Sequence, residues 1–248
     1  MPELADIFRL HGPAYVAKYG DRMLPSHKKV LQDVIRCRTE DLGGQVWFCQ
    51  GCNEYHYSYH SCKNRHCPKC QNDEATVWLA EQEQLLLPVP YFMATFTLPE
   101  ELRDSAGSYQ KIIYNLLFRT SAEALQTLAA DPKYIGGIIA MIGVLQTWTR
   151  DLAYHPHIHY LIPAGGLDMA NKRWRPAKNN FLMPVKALAV LFRAKFRDAL
   201  KKEGLYEKIP KTAWKKDWVV HIEPVGTGQA ALKYLAPYVF RVAISNRN

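Results

Sequence analysis

No stretch of this chain is apolar for long enough to cross a bilayer. Its two most apolar runs, "LLLPVPYFMATFTL" and "IGGIIAMIGVL", fall far short of the about 20 residues that a spanning helix needs. The opening "MPELADIFRLHG" lacks the basic n-region and apolar core of a secretory leader, having acidic residues instead. Internal repeats and low-complexity tracts are also missing. These absences predict a soluble cytoplasmic protein with no membrane partner, in a compartment where thiols stay reduced. Its cysteines should then serve metal binding or burial rather than disulfides. Acidic charge is in deficit as well, with 23 Asp and Glu against 32 Lys and Arg, a formal net charge of +9. That balance favours an acidic partner, nucleic acid being the commonest. With 48% of 248 residues apolar, the chain can fill a core, which excludes global disorder.

Cysteine is absent from everything after Cys70. All six occur in "CRTEDLGGQVWFCQGCNEYHYSYHSCKNRHCPKC". Two C-x-x-C knuckles, Cys49/Cys52 and Cys67/Cys70, stand fourteen residues apart. Each knuckle sets two thiolates on one side of a tight loop, and two loops complete a tetrahedron around zinc. A zinc site of Cys49, Cys52, Cys67 and Cys70 is therefore expected. Cys37, Cys62 and His66, with His60 or His56, could form a second one. Alternatively Cys37 is a small buried hydrophobe and His66 a surface residue. Lys63, Arg65 and Lys69 lie close to Tyr55, Tyr57 and Tyr59. Interleaved cations and aromatics suit nucleic acid, although the rings could equally be the module's miniature core.

Apolar spacing predicts helices in "ADIFRLHGPAYVAKYG" and "PSHKKVLQDVIRCR", and another from Asn72 or Asp73 to Pro88. "YFMATFTLP" reads as a strand, followed by a helical pattern from Pro99 to about Ala130. "IGGIIAMIGVLQTWTR" and "HPHIHYLIPA" read as antiparallel neighbours across a short turn. A polar stretch, "GGLDMANKRWRPAKNN", precedes a helix from about Pro184 to Lys202. "DWVVHIEPV" is a further strand. "GTGQAALKYLAPYVFRVAISNRN" is a Gly-flanked helix with a short extended end. The order β-α-β-β-α-β-α is that of an α+β sandwich, with helices over one face of a mostly antiparallel sheet.

In a strand, His155, His157 and His159 share one face while Pro156, Ile158 and Tyr160 share the other. Two imidazoles two residues apart on a strand can converge on a divalent metal. Further ligands are open: Gln146 should lie across from about Ile158, and Asp151 and Glu223 are other candidates. The alternative is a solvated histidine row. In "KYLAPYVFR", Tyr234 and Tyr238 are four apart and share a helical face. Such a pair is ordinarily a core stripe. Pro237 should kink or end that helix by clashing with the carbonyl of Lys233.

Together "CRTEDLGGQ", "CQGC", "SCKNRHCPKCQ", "HPHIH" and "KYLAPYVFRVAISN" make the chain resemble, over essentially its whole length, the two-tyrosine HUH rolling-circle transposases of the insertion sequence 91 family. The resemblance implies a zinc-binding DNA-recognition module with flanking helices over 1–88. A HUH nuclease domain, an antiparallel sheet flanked by helices and ferredoxin/RRM-like, would follow over 89–248. It implies His157 and His159 as the metal pair, with His155 outside it, Mg²⁺ or Mn²⁺ as the catalytic ion, and Tyr234 and Tyr238 as nucleophiles. Single-stranded or hairpin DNA at transposon ends, and target DNA, would be the partners, in a bacterial, nucleoid-associated setting. Lys233 and Arg241 would join Lys63, Arg65 and Lys69 in DNA contact. Two departures stand out. Gln45 occupies the position where the family pattern suggests a histidine, leaving the second zinc a ligand short unless His56 or His60 substitutes. Family members also continue beyond "AISN", so a truncated chain is expected. A plasmid replication initiator or relaxase, or a non-catalytic zinc-dependent DNA-binding protein, are rival readings.

Overall fold

The computed structural model describes residues 3–149, 151–178 and 180–240. The chain divides into two compact units, one of residues 1–80 with the stretch from 236 onward, the other of residues 81–235. Among the described residues, no helix is long and apolar enough to cross a membrane.

The first unit opens with α1 (Leu4–Tyr19) and α2 (Pro25–Arg36). Pro25 occupies the first turn of α2, where a missing N–H costs nothing. A hairpin follows, β1 (Gly44–Cys49) paired antiparallel with β2 (Glu54–Tyr59), and then α3 (Pro68–Gln84). That helix begins four residues earlier than the sequence pattern suggested. Pro68 has the fixed φ a first helical residue needs, and this brings Cys70 inside the first turn. Apart from Cys49, every hairpin residue is exposed. The unit's buried cluster is small: Ala5, Val34, Cys37, Cys67 and Cys70, with Leu4, Phe8, Val30 and Cys62 packed against it.

The second unit is built on a four-stranded sheet. In chain order come β3 (Tyr91–Thr97), the short α4 (Arg103–Ser108), α5 (Gln110–Ala129), β4 (Ile142–Trp148), β5 (Tyr154–Pro163), a small hairpin of β6 (Gly165–Asp168) and β7 (Arg173–Pro176), α6 (Val185–Lys202), β8 (Val220–Pro224) and α7 (Gln229–Val239), of which residues up to Leu235 belong to this unit. The sheet order β4-β5-β3-β8, antiparallel at every pairing, is the β-α-β-β-α-β ferredoxin-like arrangement. The expected mixed, antiparallel class is thus the observed one. Alternation sends Phe96, Ile158 and Tyr160 to one face, where they pack with Ile113 and Leu117 of α5 and Phe192 and Phe196 of α6. The Tyr160 hydroxyl bonds Ser121 Oγ at 2.9 Å and donates to the Phe118 carbonyl at 3.0 Å. Gly143 stands opposite Tyr160, and a Cβ there would come within 2.6 Å of that ring.

Some expected boundaries shift for local reasons. The helical pattern from Pro99 breaks at Tyr109, whose φ of −121° and ψ of 43° separate α4 from α5. Of the run before Trp148 only Ile142–Trp148 is strand. Gly136 takes a φ of +68°, and Ile138 makes a single bridge to Leu167. The polar stretch contains the β6–β7 hairpin, held by Asp168 against Arg175 at 2.7 Å. Pro237 lies inside α7 without ending it. Its missing N–H removes one hydrogen bond of this helix. The expected extended end after this helix lies outside the described residues.

Candidate active site and metal centres

With α5 and α6 covering one face of the sheet, the opposite face carries the histidine row. The register sets its neighbours: His157 lies opposite Gln146 on β4 and Thr97 on β3, and His159 lies opposite Val144 and Thr95. Gln146 is therefore squarely on the histidine face, one residue away from the expected position across from Ile158. Continuing the Trp148–Tyr154 register would put Gln146 opposite Pro156, and the bulge between Gln146 and Trp148 moves it onto His157. Ile158, fully buried, anchors the strand from the other side.

Hydrogen bonding fixes which ring nitrogen of His157 carries the proton. A carbonyl can only accept, so the 2.7 Å contact between His157 Nδ1 and the backbone oxygen of His155 makes Nδ1 the donor. The Nε2 lone pair of His157 then faces Gln146 Oε1 at 3.1 Å, acceptor against acceptor. His159 Nδ1 bonds the Thr95 hydroxyl at 2.9 Å, while its Nε2 is buried with no hydrogen-bond partner. The rings of His157 and His159 are 5.0 Å apart. Burial pushes the His159 imidazole down to about 4, and burial likewise lowers His157, so both are neutral near pH 7. Two neutral imidazoles, each oriented through Nδ1, and a facing amide oxygen form a donor set suited to a divalent cation.

Tyr234 is beside this set. Its ring centroid is 6.1 Å from that of His159, edge to face, and the residue is 45% exposed. Tyr238 follows one turn later on α7 and is half-buried. The other ligand candidates are engaged elsewhere. Asp151, in the β4–β5 turn, accepts from the Thr149 hydroxyl, and Glu223 lies 3.5 Å from His221 on β8. Two contributors were missed from sequence, Thr95 and Arg103. An Nη of Arg103 donates to His155 Nδ1 at 3.1 Å. Both contacts span long loops, and only the strand register or the fold of α4 brings them together.

The thiols of the first unit group differently from the expected pairing. Cys37, Cys62, Cys67 and Cys70 have all their sulfurs within 4.8 Å of one another. Cys70 Sγ lies 3.5 Å from Cys37 Sγ and 3.7 Å from Cys62 Sγ. A tetrahedron of Zn–S bonds of about 2.3 Å would put sulfurs about 3.8 Å apart, so the cluster has zinc dimensions. The backbone N–H groups of Cys62 and Asn64 donate to Cys37 Sγ and Cys62 Sγ at 3.5 Å. Burial pushes the Cys67 thiol up to about 11 and the Cys62 thiol higher. On Cys70 the opposing burial is outweighed by hydrogen bonds from Cys37 and Cys62, which lower it.

Cys49, Cys52 and His56 make a separate, more exposed group. The hairpin explains the split. Its base is tied beside Cys37 through the Arg38 N–H to His60 carbonyl bond of 3.1 Å. Six residues of strand at about 3.3 Å each then carry the tip about 20 Å away. The two knuckles cannot share one ion. His60 and His66 join neither group: His60 bonds through its backbone at the hairpin base, and His66 Nε2 accepts from Arg65 at 3.3 Å. Of the basic candidates, Lys63 and Arg65 are exposed, Lys69 pairs with Glu3 at 2.7 Å and Lys233 with Glu83 at 3.9 Å. Arg241 lies outside the described residues.

A thiol-clustered module joined to a sheet domain with an imidazole and amide set is the two-part design of a transposase with its own zinc-binding domain. Residues 7–98 match the family model described as "Transposase zinc-binding domain", and residues 140–248 the one described as "Putative transposase". The chain belongs to the insertion sequence 91 family of transposases. It is similar to "Putative transposase y4qJ" of Sinorhizobium fredii (strain NBRC 101917 / NGR234), 36% identical over 264 residues, 99% of this chain and 66% of that protein. It is also similar to the transposase for insertion sequence element IS801 of Pseudomonas savastanoi pv. phaseolicola, 31% identical over 142 residues, 56% of this chain and 34% of that one. The chain thus spans just under two-thirds of the first relative and about a third of the second. Among solved structures it matches a conjugative relaxase, TrwC, in complex with mutant oriT DNA, at a TM-score of 0.35 and 18% identity over 44% of each chain, too slight a likeness to bear on the fold.

Proposed function

We propose that this chain cleaves and rejoins single-stranded DNA through 5′-phosphotyrosine intermediates in rolling-circle-type transposition. The observation that carries the reading is the sheet face where the His157 and His159 rings lie 5.0 Å apart, His157 Nε2 faces Gln146 Oε1 at 3.1 Å, and the Tyr234 ring lies against that of His159. Tyr234 is the nucleophile nearest that set, and Tyr238 on the same helix is the second. The phenol oxygen forms a bond to the scissile phosphorus as the bond to the 3′-oxygen breaks, giving a free 3′-OH. Attack by a 3′-OH reverses the step, so one phosphoester replaces another and no water is consumed. One tyrosine can hold a donor 5′ end while the other opens a second site.

His157, His159 and Gln146 would hold the ion, Mg²⁺ or Mn²⁺. When bound, it polarises a non-bridging phosphate oxygen. Two imidazole ligands favour Mn²⁺ over Mg²⁺ in vitro. A free phenol has a pKa of about 10, so little phenolate exists at neutral pH without such help.

Residues 1–88 serve as the DNA-recognition module. Cys37, Cys62, Cys67 and Cys70 hold one structural zinc, and Cys49, Cys52 and His56 hold a second. Lys63, Arg65 and Lys69, with Lys233 and Arg241 of the nuclease part, contact the phosphates of single-stranded or hairpin ends in the bacterial cytoplasm.

A nicking assay on single-stranded oligonucleotides tests this. Cleavage should need added Mn²⁺ or Mg²⁺, leave the 5′ end protein-linked, and disappear in His159→Ala. Cleavage that survives in His159→Ala, or that leaves free 5′-phosphates, contradicts the reading.

A further inference from the structure

His155, the remaining histidine of the row, has the tautomer opposite to that of His157. A guanidinium has only N–H groups to offer, so the 3.1 Å contact from Arg103 makes His155 Nδ1 an acceptor. The proton of a neutral His155 ring must then sit on Nε2. His157, two residues on, has the reverse arrangement, with its proton on Nδ1 and its lone pair on Nε2. Along β5, His155 thus presents a donor and His157 an acceptor. A nitrogen bearing a proton cannot ligate a metal. It can donate to a phosphate oxygen, and no described residue takes that proton in a hydrogen bond. The His155 and His157 rings are 5.7 Å apart, so this donor is adjacent to the proposed metal pair.

Arg103 is itself held in place. It is the first residue of α4, directly after a turn of 3-10 helix from Glu100 to Leu102, and its Nε is buried without a partner. The guanidinium also places a positive charge beside the imidazole. Such a charge suits an anionic ligand.

We propose that His155 is a phosphate-binding residue of the DNA site, held by Arg103 in the tautomer that donates from Nε2, and is no ligand of the metal. The assignment rests on the function proposed above and specifies how that site grips its phosphodiester. His155 donates to a phosphate oxygen next to the one facing His157 and His159. Arg103 acts through His155 as a positioning residue.

Side-chain reach makes the proposal testable. A glutamine amide nitrogen extends about as far as imidazole Nε2, whereas an asparagine amide reaches only about as far as Nδ1. Single-stranded oligonucleotide affinity in the presence of Mn²⁺, single-turnover cleavage and Mn²⁺ affinity should be measured for His155→Gln, His155→Asn and His155→Ala, with His157→Ala for comparison. The expected outcome is that Mn²⁺ affinity stays within about twofold in all three His155 variants and collapses in His157→Ala. DNA affinity and cleavage should fall about 10- to 100-fold in the Asn and Ala variants, the scale of one hydrogen bond to a charged group, and be largely rescued by Gln. Arg103→Met should weaken DNA binding in the wild-type background yet cost nothing further in His155→Ala.

A fall in Mn²⁺ affinity for His155→Ala that matches His157→Ala overturns the proposal in favour of a third ligand. Unchanged DNA affinity in His155→Ala makes the residue a bystander and also overturns it. Both readouts work in a chain that does not cleave. Wild type that binds DNA and Mn²⁺ but forms no adduct contradicts the proposed function and leaves this assignment to be decided by the two affinities.

Discussion

The two units of this transposase are held together by different elements. In the sheet unit the buried cluster is carbon: Phe96, Ile158, Ile162, Phe192 and Phe196 fill the space between four strands and two long helices. In the N-terminal unit the cluster is rich in sulfur: among the described residues, Cys37, Cys67 and Cys70 are buried and Cys62 packs against them with five other residues. So few apolar side chains cannot offset the entropy of ordering two helices, a hairpin and a third helix. Four thiols with zinc spacing can, because metal binding to such a site is folding free energy. The lesson is a division of labour. One unit is centred on thiols with zinc spacing, whereas the other is centred on an apolar core.

The largest expected effect breaks the first half of that comparison. Cys67→Ser removes a buried ligand and should abolish zinc binding at the four-thiol cluster, forfeiting about 10–16 kcal/mol of apparent metal-linked folding energy. Limited proteolysis and zinc analysis should show cleavage across residues 1–80 while 81–235 stays protected. A variant that keeps its metal and its protease resistance would place the unit's stability elsewhere.

A smaller effect sharpens the second half. Ile158→Ala empties a fully buried position between α5, α6 and the sheet and should cost about 2–5 kcal/mol. Denaturant unfolding of the sheet unit should shift by that amount, with zinc content unchanged. Zinc loss alongside the shift would mean that the two units do not hold themselves together independently.

The sheet unit was the more legible part of the sequence. Strict alternation in "HPHIHYLIP" set the histidines on one face and Ile158 on the other, and Pro184 and Lys202 bracketed a helix that runs from Val185 to Lys202. What alternation could not give was register. The bulge beside Gln146 and the pairing of Thr95 with His159 depend on where β4 and β3 meet β5. Arg103 was invisible for the same reason, since its contact to His155 spans 52 residues.

In the N-terminal unit the six cysteines were legible as a metal-ligating set, but their grouping was not. Spacing alone pairs one C-x-x-C knuckle with the other. The aromatic alternation of "QVWFC" and "EYHYSY" makes a hairpin instead, which carries Cys49 and Cys52 off with His56 and leaves Cys67 and Cys70 to Cys37 and Cys62. His60 and His66 drop out because one sits at the hairpin base and the other beside Arg65.

In the proposed function, the face of the sheet bearing His157, His159 and Gln146 serves a tyrosine nucleophile on α7. The direct measurement is covalent trapping of a labelled single-stranded oligonucleotide with Mn²⁺, followed by peptide mapping, in wild type, Tyr234→Phe, Tyr238→Phe and the double variant. The account predicts a denaturant-resistant adduct on Tyr234 in wild type, impaired strand transfer in each single variant, and no adduct in the double variant. An adduct that persists when both tyrosines are phenylalanine would contradict it.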